Sequence, residues 1–222
     1  MQGVDKQSVS IDHMPVVARS AQALSECELV SEIILVCPAE KVGEYYRLVR
    51  EFELERVSKV IGGGGSRQQS VFAGVQACDK QAKYYLIHDG ARPLITPENV
   101  RACILAAFEH GAAAVGVKPK DTLKLVGKDG YISKTIDRAE MISIQTPQVF
   151  KADVYARAAK VALCEERDYS DDCQLVERLG ERVFIVPGEY ENIKITTPAD
   201  LAVAQALLQL RHQGVEQWLE GG

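Results

Sequence analysis

Residues 83–93 read Lys-Tyr-Tyr-Leu-Ile-His-Asp-Gly-Ala-Arg-Pro. The apolar and aromatic run at 83–86 predicts a buried strand of a parallel sheet. The chain then turns sharply, because a carboxylate, a glycine, a cation and a proline follow within five residues. In an open α/β sheet, ligands bind in the crevice beyond the carboxyl ends of the strands. We therefore expect Asp89 and Arg92 to face such a crevice.

The chemistry of Asp89 and Arg92 suits a phosphorylated, hydroxylated ligand. Arginine supplies a planar fork of donors for phosphate, and aspartate accepts hydrogen bonds from hydroxyls or faces a metal. An Asp–Arg pair that only fixes the turn is the alternative, and these residues alone leave both interpretations open. His88, beside them, is expected to be a hydrogen-bonded structural histidine, since the four histidines of the chain show no metal-ligand spacing.

Strands alternate with helices through the first half of the chain. Apolar, partly β-branched runs predict strands at 33–37, 57–61, 83–88 and 112–117, and helices are predicted at about 41–50, 67–78 and 97–110. This order predicts an α/β fold with a doubly wound, mostly parallel, Rossmann-like sheet and right-handed crossovers.

Residues 118–140 break this rhythm. Two alternating segments, 122–126 and 131–136, flank a turn at 127–130, which predicts an inserted antiparallel β-hairpin. A lone hairpin is marginally stable, so we expect it to pack on a partner. The sequence contains no repeat, low-complexity tract or linker, and residues 1–222 are therefore expected to form a single domain with a dimerisation arm at about 118–140.

Composition argues against several classes of protein. The formal net charge is −5 and no basic run occurs, which argues against a nucleic-acid groove. No apolar stretch approaches membrane-spanning length, so no membrane partner is expected. Six cysteines are scattered without a Cys-x-x-Cys pair, which argues against zinc and disulfides and favours a cytoplasmic protein with reduced thiols.

Further candidate groups lie at other predicted strand ends. The glycine loop 62–65 would let the backbone approach a ligand, although a flexible connector is equally consistent with it; Ser70 could reach the same crevice. Lys194, on a predicted strand, faces either the crevice or, as a snorkelling lysine, solvent. No Ser-His-Asp set or pair of glycosidase carboxylates is evident. Scattered cations and hydroxyls suit phosphoryl or nucleotidyl transfer.

The order and spacing of seven motifs carry a family resemblance. They are Gly63-Gly64 with Arg67 and Ser70-Val71, His88 to Pro93, Asp121 to Lys124, Thr135 to Arg138, Gln145 to Phe150, Asp171-Asp172, and Asn192 to Thr196. Over about residues 3–210 the chain resembles the 2-C-methyl-D-erythritol 4-phosphate cytidylyltransferases. The resemblance implies an enzyme of non-mevalonate isoprenoid biosynthesis that uses CTP and a divalent cation, usually Mg²⁺. It also implies a homodimer whose arms clasp each other.

The resemblance further implies a role for each matched residue, with Arg138 delivered by the neighbouring subunit's arm. Catalytic cations would be Lys6, Arg138 and Lys194; the cytosine would be held by Gly63, Gly64 and Ser70; and the polyol phosphate would be bound by Asp89, Arg92, Thr122 and Thr146. The resemblance assigns no metal ligand.

Three departures from the family pattern qualify these expectations. Asp5 replaces a usual proline, and Gly65 stands where some members carry an aspartate that contacts the base. The family also opens with a central strand and a glycine-rich loop ending in Arg-Met that wraps the triphosphate, and this chain begins at what corresponds to that Met. We therefore expect a groove in the sheet, about twenty upstream residues that complete the enzyme, and little turnover by the chain as written.

Two alternatives follow from the same residues. A ribitol-5-phosphate cytidylyltransferase would share the fold and the chemistry, although the stretches at 89–93 and 135–138 favour the erythritol enzyme. A dimeric pseudoenzyme that binds nucleotide without turnover would account for the departure at the amino terminus. The retained Lys6, Arg138 and Lys194 argue against it.

Overall fold

The structure is a computed structural model that describes residues 9–165 and 167–213. Its strands are β1 (Ser10–Ile11), β2 (Met14–Pro15), β3 (Ile33–Cys37), β4 (Val57–Gly62), β5 (Tyr84–Ile87), β6 (Ala112–Val117), β7 (Lys124–Val126), β8 (Ile132–Thr135), β9 (Ser143–Lys151) and β10 (Phe184–Pro187). Its α-helices are α1 (Val16–Glu26), α2 (Val42–Glu51), α3 (Arg67–Ala77), α4 (Pro97–His110), α5 (Ala152–Cys164), α6 (Asp172–Glu177) and α7 (Pro198–His212).

The central sheet has four strands in the order β10-β6-β9-β5. Strands β10 and β6 are parallel, whereas β9 runs antiparallel to both β6 and β5. The α/β class and the Rossmann-like arrangement are as the sequence predicts, with β9 as the antiparallel member. This topology places the end of β5 and the middle of β9 side by side, with Ile87 paired to Gln148.

A second, two-stranded parallel sheet consists of β3 and β4. Within the described residues β3 pairs only with β4, and β5 pairs only with β9, so each presents one unpaired edge. A cavity of about 740 Å³ lies between these two edges and is lined by residues 33–36 of β3 and 84–87 of β5. The expected groove in the sheet is therefore present in the structure.

Helix ends follow from local sequence. Thr96 caps α4 by accepting a hydrogen bond from the Asn99 N–H, and Pro97 occupies the first turn, where its missing N–H costs nothing. Gly111 ends α4 with a left-handed φ of 85°, a conformation that favours glycine. These signals place the turn into β6 directly after α4, and β6 is buried between the helices that cover the sheet.

The predicted arm is a hairpin of β7 and β8. Its strands are solvent-exposed on both faces, and Leu125, Val126, Tyr131 and Ile132 are 51–76% exposed. Four large apolar side chains without cover on one short hairpin form an unusual surface for a lone subunit. In the described part of the chain, no helix is long and apolar enough to cross a bilayer.

Candidate active site

Three cations surround one carboxylate just beyond β5. Asp89 Oδ2 lies 2.8 Å from Lys194 Nζ and 3.7 Å from Arg92 Nε, and Asp89 Oδ1 lies 3.2 Å from Arg67 Nε. We call these four residues the Asp89 cluster. The Asp89 side chain is 14% exposed and that of Lys194 is 40% exposed, so the cluster opens to solvent on the lysine side.

The cluster carries a local excess of positive charge. Burial alone would raise the pKa of Asp89, but the hydrogen bond from Lys194 and the charges of Arg67, Lys194 and Arg92 outweigh burial and hold the pKa below its usual value. The carboxylate therefore stays ionised at neutral pH. Even when the Asp172 carboxylate, which also pairs with Arg67, is counted, three cations against two anions leave a net positive charge that favours an incoming phosphate.

Arg67 ties the cluster to the floor of the site. Its Nη1 lies 2.7 Å from Oδ2 of Asp172, which is 1% exposed. Tyr155 donates its hydroxyl to the other carboxylate oxygen of Asp172 at 2.6 Å, and Asp172 N–H donates to Gln148 Oε1. Burial would lower the pKa of Arg67, but Asp172 and Asp89 outweigh it and raise that pKa. The guanidinium is thus fixed between two carboxylates.

The glycine loop lies directly before Arg67. Ser66 caps α3 by accepting from Gln69 N–H, and Ser70 Oγ accepts from Gly64 N–H at 3.1 Å. A Cβ on Gly63 would lie 2.6 Å from Ser70 Oγ, and one on Gly64 would lie 2.4 Å from Gln69 Cβ. Both positions therefore require glycine, which brings the loop backbone close to the helix N-terminus.

Lys194 reaches the cluster from an irregular segment. The sequence predicts that Lys194 lies on a strand, and this prediction is wrong. Residues 192–196 lie outside every strand, and the backbone bond from Ile195 N–H to Ala91 O connects them to the loop after β5. The apolar pattern arises because Ile195 is buried and Ile193 partly buried in a hydrophobic cluster, without a partner strand. Of the two placements left open for Lys194, the structure shows the one toward the crevice.

Arg92 and Thr146 lie at the inner side of the cluster. Arg92 Nη1 donates to the Asn192 carbonyl at 2.7 Å, and Asn192 Nδ2 donates to the Thr146 carbonyl at 3.0 Å. Thr146 is 3% exposed, and its hydroxyl oxygen accepts from the Asp89 N–H at 3.1 Å. The structure therefore brings Thr146 to Asp89, but buries the hydroxyl expected to meet the substrate.

Thr122 and Arg138 lie on the arm, apart from the Asp89 cluster. Both are exposed, and Arg138 Nη1 donates to the Lys120 carbonyl at 2.6 Å. Around Arg138, a second hollow is lined by Lys118, Lys120 and Tyr190, with Lys120 Nζ 3.9 Å above the Tyr190 ring. Within one subunit these arm residues do not join the cluster. Lys6 lies outside the described residues.

Comparison with known proteins places this geometry in a family. The sequence model of 2-C-methyl-D-erythritol 4-phosphate cytidylyltransferase matches residues 1–210. The chain belongs to that cytidylyltransferase family. A relative with this name from Caldanaerobacter subterraneus is 43% identical over 208 residues, which is 93% of this chain and 91% of the relative. Another from Pelotomaculum thermopropionicum is 39% identical and covers 93% and 87%.

Solved structures of the family agree with the fold. The crystal structure of 4-diphosphocytidyl-2C-methyl-D-erythritol synthase from Anaerococcus prevotii aligns with a TM-score of 0.86 at 30% identity, over 95% of this chain and 92% of that one. The cytidylyltransferase from Thermus thermophilus aligns with a TM-score of 0.75 at 26% identity, over 92% and 94%.

A divalent cation is expected for this cytidylyltransferase family, but the described residues do not form a protein site for it. No group of three His, Cys, Asp or Glu side chains occurs among them. Asp89 and Asp172, the carboxylates of the cluster and its floor, are already paired with cations. Mg²⁺ commonly binds through substrate phosphates and few protein ligands, so a cation carried by CTP would be consistent with these residues.

Two residues, Arg67 and Asp172, hold the site together, although the sequence singles out each only as part of a motif. Asp171 caps α6 by accepting from Gln174 N–H, and Asp172 points inward to Arg67. The position of Arg67 at a helix N-terminus, directly after a glycine run, is the sequence feature that could have identified it as a site residue.

Proposed function

We propose that this protein joins CTP to 2-C-methyl-D-erythritol 4-phosphate, giving the CDP-linked methylerythritol and pyrophosphate in non-mevalonate isoprenoid biosynthesis. The observation that carries the proposal is the Asp89 cluster, in which Arg67, Arg92 and Lys194 surround one carboxylate beside the glycine loop. Membership of the cytidylyltransferase family supports the choice of reaction, because curated relatives bear that name.

The reaction requires positioning and neutralisation of charge more than covalent help from the protein. A phosphate oxygen of the polyol attacks the α-phosphorus of CTP, the bond from that phosphorus to the bridging oxygen breaks, and pyrophosphate leaves with the electron pair. Lys194, exposed on the solvent side of the cluster, orients the attacking phosphate. Asp89 accepts hydrogen bonds from polyol hydroxyls, and Arg92 restrains the carboxylate.

The glycine loop supplies the base-binding side of this site. Gly63 and Gly64 let the loop pack directly against Ser70 and Gln69 of α3, and Ser70 accepts a hydrogen bond from Gly64 N–H. Because the loop opens helix α3, the N-terminal end of the helix faces the same region and favours negative charge. Arg67 links this loop to Asp89 and so relates the nucleotide side to the polyol side.

We propose that the enzyme is a homodimer, which would let one subunit's arm complete the other's site. The exposed apolar residues of β7 and β8 support an arm-mediated contact. Arg138 and Thr122 lie on the same arm and away from their own subunit's cluster, so they would hold the polyol phosphate of the neighbour. Lys120 and Tyr190, which line the same hollow as Arg138, would add a cation and a hydroxyl to that contact.

A divalent cation, Mg²⁺ in the simplest case, would enter with the phosphates of CTP and neutralise part of their charge when bound. The setting would be the cytoplasm, which the six cysteines support, since none of them forms a disulfide in the part of the chain that the structure describes.

The test is pyrophosphate release, with CTP, Mg²⁺ and a panel of polyol phosphates, by the protein expressed from its full reading frame. We expect release with 2-C-methyl-D-erythritol 4-phosphate and little with ribitol 5-phosphate. Lys194→Met, which keeps the length of the side chain without its charge, should lose the activity. Lys151→Met is the matched control, because Lys151 is exposed and far along β9 from the cluster. Pyrophosphate release only with ribitol 5-phosphate would contradict the proposal. The absence of release with every polyol phosphate of the panel would also contradict it.

A further inference from the structure

A partly buried histidine connects the two strands on which the site is built. The His88 side chain lies between the end of β5 and the middle of β9, with Nε2 3.2 Å from the Arg92 carbonyl oxygen and Nδ1 3.1 Å from Thr146 Oγ1. The proposed reaction makes no direct use of this imidazole. Its two nitrogens nevertheless contact the two residues that flank Asp89 in space.

The partners of His88 determine where its proton lies. A backbone carbonyl only accepts hydrogen bonds, so Nε2 must carry the hydrogen that points to Arg92 O. In the neutral imidazole Nδ1 is then an acceptor, and the Thr146 hydroxyl must donate to it. Thr146 Oγ1 in turn accepts from Asp89 N–H at 3.1 Å. The single hydrogen of the Thr146 hydroxyl is therefore committed inside the protein.

These bonds belong to a closed ring of four residues. His88 donates to Arg92 O, Arg92 Nη1 donates to the Asn192 carbonyl, Asn192 Nδ2 donates to the Thr146 carbonyl, and Thr146 donates to His88. The ring joins the loop after β5, strand β9 and the segment that carries Lys194. Asn192 and Thr146 are 1% and 3% exposed, so water does not compete for their bonds.

We propose that His88, as the neutral Nε2–H tautomer, is a positioning residue for polyol phosphate, and that Thr146 acts through His88 rather than as a direct ligand of the phosphate. This inference rests on the proposed function. His88 fixes the Arg92 carbonyl from one side and the Thr146 hydroxyl from the other, and Thr146 fixes the Asp89 backbone. The Asp89 carboxylate and the Arg92 guanidinium are thereby held in a fixed position relative to Lys194.

The tautomer can be measured in the free protein without substrate. Long-range ¹H–¹⁵N spectra of histidine-labelled protein report which ring nitrogen carries the proton, and the His88→Gln spectrum identifies the signal among four histidines. We expect His88 to be Nε2–H and neutral from pH 6 to 8. An Nδ1–H or doubly protonated ring would overturn the inference, whether or not the enzyme proves to be a cytidylyltransferase.

Kinetics distinguish a relay through His88 from a direct phosphate contact. Thr146→Val keeps the shape and removes the hydroxyl, and we expect it and His88→Gln each to raise the KM for polyol phosphate about tenfold, with the KM for CTP within about twofold. Thr146→Ser restores the hydroxyl and should return the KM toward wild type. His110→Gln, on the distant end of α4, is the matched control.

The double variant His88→Gln with Thr146→Val decides the pathway. If Thr146 acts through His88, the double variant should be no worse than the more impaired single variant. Multiplied effects would show an independent contact between Thr146 and the phosphate, and unchanged KM values would show that the ring has no positioning role. Either result would overturn the inference. If His88→Gln fails to fold, Thr146→Val and Thr146→Ser still test it, and replacing His13, His110 and His212 one at a time identifies the His88 signal by elimination.

Discussion

Lys194 Nζ lies 2.8 Å from Asp89 Oδ2, although the two residues belong to separate segments with no shared strand. Arg67 approaches the other carboxylate oxygen from helix α3. One carboxylate therefore connects three parts of the chain, and the cations around it repel one another once it is removed. Asp89 consequently has a structural role in addition to its proposed role with substrate.

Asp89→Asn should destabilise the protein as well as abolish turnover. Breaking a fully buried ion pair costs about 3–5 kcal/mol, and we expect about 2 kcal/mol here because Arg67 and Lys194 are 34% and 40% exposed. Urea unfolding would measure the change. Arg101→Ala, which breaks an exposed pair with Glu28, should cost less than about 1 kcal/mol. Equal effects of the two changes would refute the structural role.

Arg138→Ala should impair the use of polyol phosphate far more than the use of CTP. Losing a charge-assisted contact with phosphate costs roughly 2–4 kcal/mol in the transition state, which is tens to hundreds of fold in kcat/KM. Arg157→Ala, at an exposed arginine paired with Glu181, should leave both substrates unaffected. Mixing Arg138→Ala chains with Lys194→Ala chains should restore part of the activity, because each dimer then assembles one intact site. Full activity of Arg138→Ala alone would disprove the role.

The arm should hold two subunits together. Replacing Tyr131 and Ile132, 76% and 64% exposed, by serine should shift the protein from dimer to monomer in light scattering, because the apolar surface that favours association is lost. Leu163, which is 58% exposed outside the arm, provides a control: Leu163→Ser should not change the mass. A wild-type monomer at micromolar concentration would argue against the homodimer.

Burial of His88 predicts a pH dependence of stability. Burial lowers the pKa of His88 from 6.5 to about 4, so the unfolded chain binds a proton more readily than the folded one between these values. The free energy of unfolding is therefore highest above about pH 6.5. It falls by roughly 3 kcal/mol in all as the pH drops toward 4. Unfolding free energies of wild type and His88→Gln, measured from pH 4 to 7, should therefore converge at low pH. Parallel curves would show that His88 titrates normally.

The open edge of β5 predicts a pattern of amide exchange. Ala152 N–H donates to Lys83 O, so by the alternation of an antiparallel ladder the amides of Tyr85 and Ile87 bond to β9. Those of Tyr84 and Leu86 face the cavity. In native-state hydrogen exchange, Tyr84 and Leu86 should exchange at least about tenfold faster than Tyr85 and Ile87. Uniform protection along β5 would mean that its second edge is covered.

Much of the fold follows from local signals. The apolar run before Asp89 and the alternation on either side of the arm turn are strong patterns, and the strand and the hairpin both form. The strand was expected in a parallel sheet, whereas its one pairing among the described residues, with β9, is antiparallel. Segment 192–196 shows the limit of such patterns. Ile193 and Ile195 are apolar because they pack beside α7, and periodicity cannot distinguish that burial from burial in a sheet.

The sequence predicts which residues form the candidate site better than it predicts the contacts between them. Asp89 and Arg92 were expected at one crevice, and they meet there beyond the end of β5. Lys194, for which both the crevice and solvent were open, joins them from an irregular segment. His88 was expected to be hydrogen-bonded, and it is. The pairing of Arg67 with Asp172 depends on how α3 and α6 pack, and the burial of Thr146 depends on β9 running antiparallel beside β5. Neither relationship is local in sequence.

The divided sheet has a mechanical consequence. The glycine loop follows β4 in one sheet and Asp89 follows β5 in the other, and a cavity rather than a ladder of hydrogen bonds separates β3 from β5. Within the described residues, the Arg67 guanidinium bridges this gap, because it starts helix α3 after the glycine loop and pairs with Asp89. A change in the width of the gap would therefore alter the distance between the proposed base and polyol sites without altering either loop.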